Sequence, residues 1–328
     1  MNKEKVNVAV VGATGLVGRT MLQVLKERNF PCGSVKALAS ARTAGQFVEF
    51  GSEKIIVEEL ISTSFDGVDI ALFSAGSDVS RVFAPIAADA GCIVIDNGSY
   101  WRMHEDVPLC VPEVNPESIK SHKNIIANPN CSTIQLVLPL KALDEAFGLK
   151  RVVCSTYQSI SGAGQKGLDQ LDSEVSGEKT NCKHRIAFNT MFHSSYGDSE
   201  FTQEERKMFA ETRKIMNNKD LRLAFTCVRL PVLGGHGESV NLELKSPFTL
   251  DGAKKVLSDF EGIVLVDDLA NDIYPTAQLA SGKDEVFVGR VRLDDSVENG
   301  LYLWISADNL RKGAATNAVQ IAELLIDS

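Results

Sequence analysis

The chain has 328 residues, more than one hydrophobic core usually supports, and this length predicts two domains. With 44% hydrophobic and 23% charged residues and no apolar run of about 18 residues, the composition is that of a globular protein without a membrane span. The net charge of −9 argues against nonspecific nucleic-acid binding, although a local basic pocket could still hold a small anion.

The first 130 residues alternate strand-like and helix-like segments. In chain order these are VNVAVVG (6–12), LVGRTMLQVLKER (16–28), SVKALAS (34–40), VDIALFSAG (68–76), SRVFAPIAADAG (80–91), CIVIDNGS (92–99) and NIIANPNCST (124–133). Such alternation is typical of a parallel α/β sheet of the Rossmann type. The last three strands end in small or polar residues, where ligands bind in open α/β sheets.

The first strand–helix turn reads GATGLVG, with glycines at positions 12, 15 and 18. Glycines at this spacing let backbone N–H groups and the helix N-terminus approach a pyrophosphate, although a purely structural turn can share the pattern. We therefore predict dinucleotide binding at this turn, by Gly12, Ala13, Thr14, Gly15, Leu16, Val17 and Gly18.

The end of the second strand indicates which dinucleotide binds. An NAD site usually carries an acidic residue there, whereas this chain has Ser40, Arg42 and Thr43. Two hydroxyls and a guanidinium suit a 2′-phosphate, so we predict NADP. The alternative is an exposed turn with a solvated arginine.

Cys131 lies in ANPNCST, where an apolar run gives way to the helix-like TIQLVLPLKAL. At the first turn of a helix, backbone N–H groups and the macrodipole favour a thiolate, so Cys131 is a candidate nucleophile. Most cysteines in such a chain only pack, and Cys92, Cys154 and Cys227 in apolar runs fit that interpretation. All seven cysteines are scattered without a C-x-x-C pair, which predicts reduced thiols and no zinc site. With no signal-peptide pattern at the N-terminus, we expect a cytoplasmic protein.

Beyond Cys131 the chain becomes rich in strands. They are RVVCSTYQSI (151–160), LRLAFTCVRLPV (221–232), ESVNLELKS (238–246), EVFVGRVRL (285–293) and GLYLWISADNL (300–310), before a closing helix. This order predicts an α+β domain with a mixed or antiparallel sheet. His236 stands among glycines in LGGHGES and is the candidate acid/base partner of the cysteine, while a solvated side chain is expected at His104, His122, His184 and His193.

Together the motifs resemble the aspartate-semialdehyde dehydrogenase family over nearly the full length. The matching stretches are GATGLVG, DNGSYWRM, VPEVNP, NPNCST, SISGAG, FTQEERKM, GGHGES and GAATNAVQIAE. The resemblance implies that residues 1–130 with the closing helix 311–328 bind the dinucleotide. It assigns catalysis and dimerisation to residues 131–310, as a homodimer or a tetramer of two dimers.

The same resemblance implies the roles of individual residues. Cys131 is the nucleophile, His236 the acid/base and Gln158 a group that holds the acyl carbon. The implied substrate-binding residues are Arg229 for the α-carboxylate, Glu204 for the ammonium group, Lys207 and Arg102 for the phosphate, and Asn130 beside the nucleophile. Further implied cofactor-binding residues are Ser74, Ala75, Gly76, Asn97, Ser161, Gly162 and Asn317.

The implied reaction reduces L-aspartyl 4-phosphate to L-aspartate 4-semialdehyde with NADPH, through a thioester on Cys131 and without a metal. It places the chain in the pathway to lysine, including diaminopimelate, and to methionine and threonine. One alternative is N-acetyl-γ-glutamyl-phosphate reductase, whose acetylated substrate offers no charged amine to Glu204. Another is a non-catalytic paralogue, which we would expect to have lost Cys131 or His236.

Overall fold

The computed structural model describes residues 4–178, 180, 182–193 and 196–326. The chain divides into two compact units, one formed by Met1–Asn130 with Ala314–Ser328 and the other by Cys131–Gly313. No helix in these described ranges is long and apolar enough to cross a membrane.

The first unit is built on a seven-stranded sheet with the order β3-β4-β2-β1-β5-β6-β7. Its elements are β1 (Val6–Val11), α1 (Leu16–Glu27), β2 (Cys32–Ala39), β3 (Phe47–Phe50), β4 (Glu53–Glu59), β5 (Ile70–Phe73), α2 (Ser77–Asp89), β6 (Ile93–Asp96), β7 (Ile125–Ala127) and the closing helix α8 (Thr316–Ile326). All neighbouring strands are parallel except β3 and β4, which form an antiparallel pair. This arrangement confirms the predicted parallel α/β unit.

The core of this unit lies between the sheet and its helices. The inward faces of β1 and α1 are apolar, and Val8, Val10, Met21 and Leu25 are buried together. A helix with apolar residues three and four positions apart has one apolar face, which explains why α1 packs against the sheet on that face. The antiparallel β3–β4 pair was not predicted, since its charged residues interrupt the apolar alternation.

The second unit is built on another seven-stranded sheet, with the order β12-β13-β14-β11-β8-β10-β9. Its elements are α3 (Cys131–Phe147), β8 (Leu149–Gln158), α4 (Gln165–Val175), β9 (Met191–Phe192), α5 (Gln203–Ile215), β10 (Arg222–Arg229), β11 (His236–Leu244), α6 (Leu250–Asp259), β12 (Ile263–Leu265), α7 (Ala277–Ala280), β13 (Val286–Asp294) and β14 (Gly300–Ala307). β8 and β10 are parallel, whereas β11 is antiparallel to β8 and β14. The predicted mixed sheet is therefore confirmed.

Strand direction in this sheet brings functional side chains to one edge. β8 and β10 run parallel and end together, with Gln158 opposite Arg229 in the register. β11 runs the other way on the far side of β8, and it starts at His236. The ends of two strands and the start of a third therefore meet at the same edge.

Two helices complete that edge. α3 is buried on nearly all sides, which is typical of a helix in the middle of a core. α5 begins with a capping box, in which the Thr202 side chain accepts from the Glu205 N–H and the Glu205 carboxylate accepts from the Thr202 N–H. Its first turn is acidic and its last turn is basic, so both ends complement the helix dipole.

Candidate active site

Cys131 is the first residue of α3 and is half-buried. Because the first turn of a helix has N–H groups without intrahelical acceptors, this position favours negative charge on the sulfur. Nearby, the Cβ of an alanine at Gly313 would lie 3.0 Å from the Cβ of Cys131. The absence of a side chain at position 313 leaves room for the cysteine.

His236, at the start of β11, faces the cysteine. Its Nε2 lies 3.3 Å from the Sγ of Cys131, although the two residues are 105 positions apart in the chain. The imidazole is fully buried. A thiol and an imidazole at this distance can exchange a proton, which is the arrangement of a nucleophile with its acid/base.

Burial sets the charge of His236. Burial first, and then the positive charge of Arg229, lowers the pKa of the imidazole to about 3. His236 is therefore neutral at physiological pH. A bound substrate or a negative charge on the sulfur of Cys131 would change its pKa. Glu204 acts in the opposite direction, as a negative charge that favours the imidazolium.

Arg229, at the end of β10, is held against the loop that follows β8. Its Nη1 donates to the backbone oxygen of Ser159 at 2.6 Å. Gly162, in a short 3₁₀ turn at Ile160–Ala163, lies over the guanidinium and the imidazole, since a Cβ there would be 3.0 Å from Nη1 of Arg229 and 3.3 Å from the His236 ring. A larger residue at this position would displace one of the two side chains by a few tenths of an ångström.

Two histidines that were expected to have solvated side chains, His122 and His193, are only partly exposed. His193 is the one that lies at the site. It is half-buried, with its Nδ1 3.5 Å from Nη2 of Arg229. β9 pairs with the end of β10, and this pairing carries the next residue, His193, to the arginine. Burial first, and then the charge of Arg229, lowers the pKa of His193 to about 4.

Gln158 connects three elements of the site. Its Nε2 lies 3.0 Å from Oγ of Ser132 on α3, 3.3 Å from Oγ1 of Thr156 and 3.2 Å from Oε1 of Glu204 on α5. The other oxygen of Glu204 forms an ion pair with Lys207 at 3.2 Å, at the helical i, i+3 spacing. The amide and the acidic residue are nearly buried, so their positions are fixed by packing as well as by hydrogen bonds.

In the first unit, a cavity of about 500 Å³ lies over the glycine-rich turn. Eight of the predicted cofactor-binding residues line it: Gly12, Thr14, Gly15, Ser40, Arg42, Thr43, Ser74 and Ala75. Gly12 has φ +85°, and a Cβ there would lie 2.9 Å from the backbone of Ser74. The turn therefore requires glycine both for its conformation and for the approach of the neighbouring strand end.

The other predicted cofactor-binding residues lie outside the lining of this cavity. Within the first unit they are Ala13, Leu16, Val17, Gly18, Gly76, Asn97 and Asn317. The amide of Asn317 donates to the Cys110 oxygen at 3.0 Å and to the Asn128 side chain at 2.7 Å, so these contacts brace the unit from within. Ser161 and Gly162 belong to the second unit, beside His236.

The first unit also carries two of the predicted substrate-binding residues. Arg102 is nearly buried, and its Nη2 donates to the backbone oxygen of Asn97 at 2.7 Å. Burial raises the pKa of the neighbouring Asp96, while hydrogen bonds and the charge of Arg102 oppose the rise. Asn130 is nearly buried at the last position before Cys131.

Sequence reasoning missed several polar residues of the site. Ser132 and Thr156 contact Gln158, and Ser159 and Asn309 lie on the side of His236 away from the cysteine. Three of them sit next to, or two positions from, a predicted residue in the chain, which was the available signal. Asn309 gave none, because it comes to the histidine only through the sheet.

Comparison with known families covers most of the chain. Residues 7–122 match the family described as semialdehyde dehydrogenase, NAD binding domain. Residues 140–312 match the family described as semialdehyde dehydrogenase, dimerisation domain.

Curated relatives are similar over their full length. The aspartate-semialdehyde dehydrogenase of Aquifex aeolicus is 49% identical, with 97% of each chain covered. That of Bacillus subtilis is 46% identical, again with 97% of each chain covered.

Solved structures show the same similarity in three dimensions. Aspartate semialdehyde dehydrogenase II of Vibrio cholerae, complexed with ASA, superposes with a TM-score of 0.95 at 46% identity, over 99% of both chains. The enzyme of Candida albicans with NADP superposes with a TM-score of 0.78 at 26% identity, over 98% of both chains.

Proposed function

The chain belongs to the aspartate-semialdehyde dehydrogenase family, and on that basis we propose that it reduces L-aspartyl 4-phosphate to L-aspartate 4-semialdehyde with NADPH in amino-acid biosynthesis. The observation that carries the proposal is the 3.3 Å contact between Cys131 Sγ and His236 Nε2 at a helix N-terminus. An arginine and an acidic residue for an amino-acid substrate lie in the same unit.

Cys131 opens the reaction. Its thiolate attacks the acyl carbon of the substrate, the carbon–oxygen bond to phosphate breaks, and a thioester on Cys131 results. NADPH, when bound, supplies the hydride for the reduction of this thioester. The oxygen of the tetrahedral adduct accepts the proton that His236 first took from the Cys131 thiol. His236 takes this proton back as the carbon–sulfur bond breaks, which returns the thiolate and releases the aldehyde.

The charged side chains account for substrate choice. Arg229 binds the α-carboxylate, for which a guanidinium is well suited, and Glu204 binds the α-ammonium group. Lys207 and Arg102 receive the phosphate, while Asn130 and Gln158 orient the reacting carbonyl. The acetylated amine of the rival substrate, N-acetyl-γ-glutamyl phosphate, carries no charge for Glu204 to neutralise.

The cavity over the glycine-rich turn fits a dinucleotide. Gly12, Gly15 and the start of α1 would hold the pyrophosphate, because the turn leaves its backbone open to a ligand. Ser40, Arg42 and Thr43 at the end of β2 would hold a 2′-phosphate, which supports NADP as the cofactor. On this assignment the first unit is the dinucleotide-binding domain and the second is the catalytic and dimerisation domain.

Assembly and location complete the proposal. The match of residues 140–312 to a dimerisation domain supports a homodimer formed through the second unit. The seven scattered cysteines, with no C-x-x-C pair among them, support a reducing, cytoplasmic location.

The proposed function is tested by the initial rate of NADP⁺ reduction with L-aspartate 4-semialdehyde, with and without inorganic phosphate. We expect a rate that depends on phosphate and exceeds the rate with N-acetyl-L-glutamate 5-semialdehyde. Cys131→Ser should bind NADP normally and lose at least about 10³-fold in kcat, since it removes the nucleophile. A preference for the acetylated substrate, or a serine variant that keeps most of its rate, would contradict the proposal.

A further inference from the structure

Two groups of Ser159 face Nδ1 of His236, the ring nitrogen that points away from Cys131. The backbone N–H of Ser159 lies 3.0 Å from Nδ1, and the side-chain Oγ lies at the same distance. In the ring plane Nδ1 holds either one lone pair or one proton, so it satisfies one of these contacts at a time. Since a backbone N–H only donates and a hydroxyl oxygen also accepts, the two contacts favour opposite states of Nδ1.

Asn309 decides which way the hydroxyl of Ser159 points. The backbone N–H of Gly235 donates to the side-chain oxygen of Asn309 at 3.2 Å, and this fixes the orientation of the amide because an N–H needs an acceptor. The same oxygen lies 2.9 Å from Oγ of Ser159. An amide oxygen accepts only, so the hydrogen of the Ser159 hydroxyl points to Asn309.

Ser161 completes this arrangement. Its Oγ accepts from the Asn309 amide nitrogen at 3.1 Å and lies 3.0 Å from Oγ of Ser159. The hydroxyl hydrogen of Ser161 therefore has Ser159 Oγ or the Asn309 oxygen as its acceptor. In both cases the hydroxyl of Ser159 presents a lone pair to the histidine.

The consequence concerns the tautomer of His236. When Nδ1 accepts from the backbone N–H, the proton of the neutral ring is on Nε2, and Nε2 cannot take a proton from Cys131. When Nδ1 carries the proton and donates it to Ser159 Oγ, Nε2 presents its lone pair to the sulfur 3.3 Å away. The thiol proton can then pass to Nε2, and the imidazolium keeps its bond to Ser159.

We propose that Ser159, oriented by Asn309, is a positioning residue that holds His236 in the tautomer able to act as a base. The inference rests on the proposed function, because it gives His236 its acid/base role. The main chain of Ser159 already contacts His236 and Arg229, so the structure of the loop does not depend on the hydroxyl. The proposed role belongs to the hydroxyl alone.

The charges around the imidazole make such an acceptor necessary. Arg229 and His193 disfavour a positive ring, Glu204 favours it, and Cys131 stands at Nε2. Because the ring is fully buried, bulk solvent does not reach Nδ1, and Ser159 Oγ is the side-chain acceptor that the structure places beside it.

The test follows the alkylation of Cys131 by iodoacetamide as a function of pH, measured on the Cys131 peptide by mass spectrometry. Ser159→Ala removes the hydroxyl and keeps both main-chain contacts of that residue. We expect alkylation at pH 7 to slow about 10-fold, its midpoint to move to higher pH, and kcat to fall about 10- to 100-fold with KM changed less than about threefold. Ser159→Thr, which keeps a hydroxyl, should restore most of the rate.

Asn309→Asp should shift the midpoint pH of Cys131 alkylation in the opposite direction. A carboxylate behind Ser159 stabilises the imidazolium, so the midpoint of Cys131 alkylation should move to lower pH. Ser306→Ala is the matched control, because Ser306 Oγ donates to the backbone oxygen of His236 at 3.1 Å and does not touch the ring. Its midpoint should equal that of the parent protein.

Unchanged midpoints in folded Ser159→Ala and Asn309→Asp, or midpoints that move in the same direction, would overturn the inference. If Ser159→Ala does not fold, the inference is tested by Asn309→Asp alone. A midpoint that does not move to lower pH in this variant would overturn it. The alkylation needs no substrate, so a parent protein that fails to turn over aspartate semialdehyde would contradict the proposed function and leave this test intact.

Discussion

At the scale of single residues, the site combines cations for an anionic substrate with a base that is neutral before the reaction begins. Arg229 holds the loop carbonyl of Ser159 and also lowers the pKa of His236. A bound carboxylate would neutralise the arginine and thereby relieve this effect. Substrate binding should therefore make His236 a stronger base at the moment when the base is needed.

The cofactor preference also depends on a single residue, Arg42. Its exposed guanidinium lines the cavity in the first unit. Arg42→Ala should weaken NADP binding about 10- to 100-fold and NAD binding less than about threefold, because a charged hydrogen bond to phosphate is lost. Titration of both dinucleotides by fluorescence or calorimetry measures the two constants.

Arg222→Ala provides the control for that experiment. Arg222 is an exposed arginine in the second unit, so its loss changes the net charge equally and should leave both affinities unchanged. Equal weakening of NADP and NAD by Arg42→Ala would show that Arg42 does not contact the 2′-phosphate.

At the scale of elements, the start of α5 links the capping of a helix to the binding of substrate. Besides capping the helix, Glu205 accepts from the backbone N–H of Cys227 on β10 at 3.1 Å. The capping box thus fixes the helix start against the strand that carries Arg229. Glu204 is one position earlier, so its location in the site depends on this contact between Glu205 and β10.

Removal of the Thr202 cap tests this link. Thr202→Ala should destabilise the protein by about 1 kcal/mol, because the first turn loses a hydrogen-bond acceptor. It should also raise KM for the aspartyl substrate severalfold and leave KM for NADP unchanged. Thermal unfolding and steady-state kinetics measure the two effects.

Thr249→Ala is the matched control, since Thr249 caps α6 by accepting from the Gly252 N–H at 3.1 Å. The loss of this cap should lower stability without changing either KM. If Thr202→Ala changed stability alone, the position of Glu204 would not depend on the cap.

At the scale of the whole molecule, a buried carboxyl in β11 makes stability depend on pH. Glu238 is fully buried, and burial raises its pKa well above the ordinary value. The fold therefore favours a protonated Glu238, which costs free energy at pH values above the ordinary pKa of about 4.5. The cost increases with pH until the folded pKa is reached.

Glu238→Gln should therefore stabilise the protein. The gain in free energy of unfolding should be near zero at pH 4.5 and grow by about 1.4 kcal/mol per pH unit above it, up to the folded pKa. Because about 1 kcal/mol shifts Tm by some 2–4 °C in domains of about 150–250 residues, melting curves between pH 5.5 and 8 measure it.

The control for this experiment lies on the same strand. The pKa of Glu243 is lowered, chiefly by its hydrogen bond with Lys150. Glu243→Gln should therefore not increase the stability of the protein at any pH. A Glu238→Gln variant with the same Tm as the parent at pH 8 would show that Glu238 does not need to be protonated in the fold.

The sequence by itself determined the local features. The glycine-rich turn after β1 and the cysteine at the first turn of α3 were both predicted. Each depends on backbone preferences or helical spacing over a few residues, and such preferences act within one segment of chain. Family resemblance added the roles of these residues, and the geometry of the second unit is compatible with them.

Only the tertiary structure decided which distant groups meet. Cys131 and His236 are 105 residues apart, and Ser159 and Asn309 are 150 apart. Their contacts depend on the order and direction of strands in a mixed sheet, which apolar alternation does not encode. The burial of His193 was mispredicted for the same reason, because it follows from the pairing of two strands that are distant in the chain.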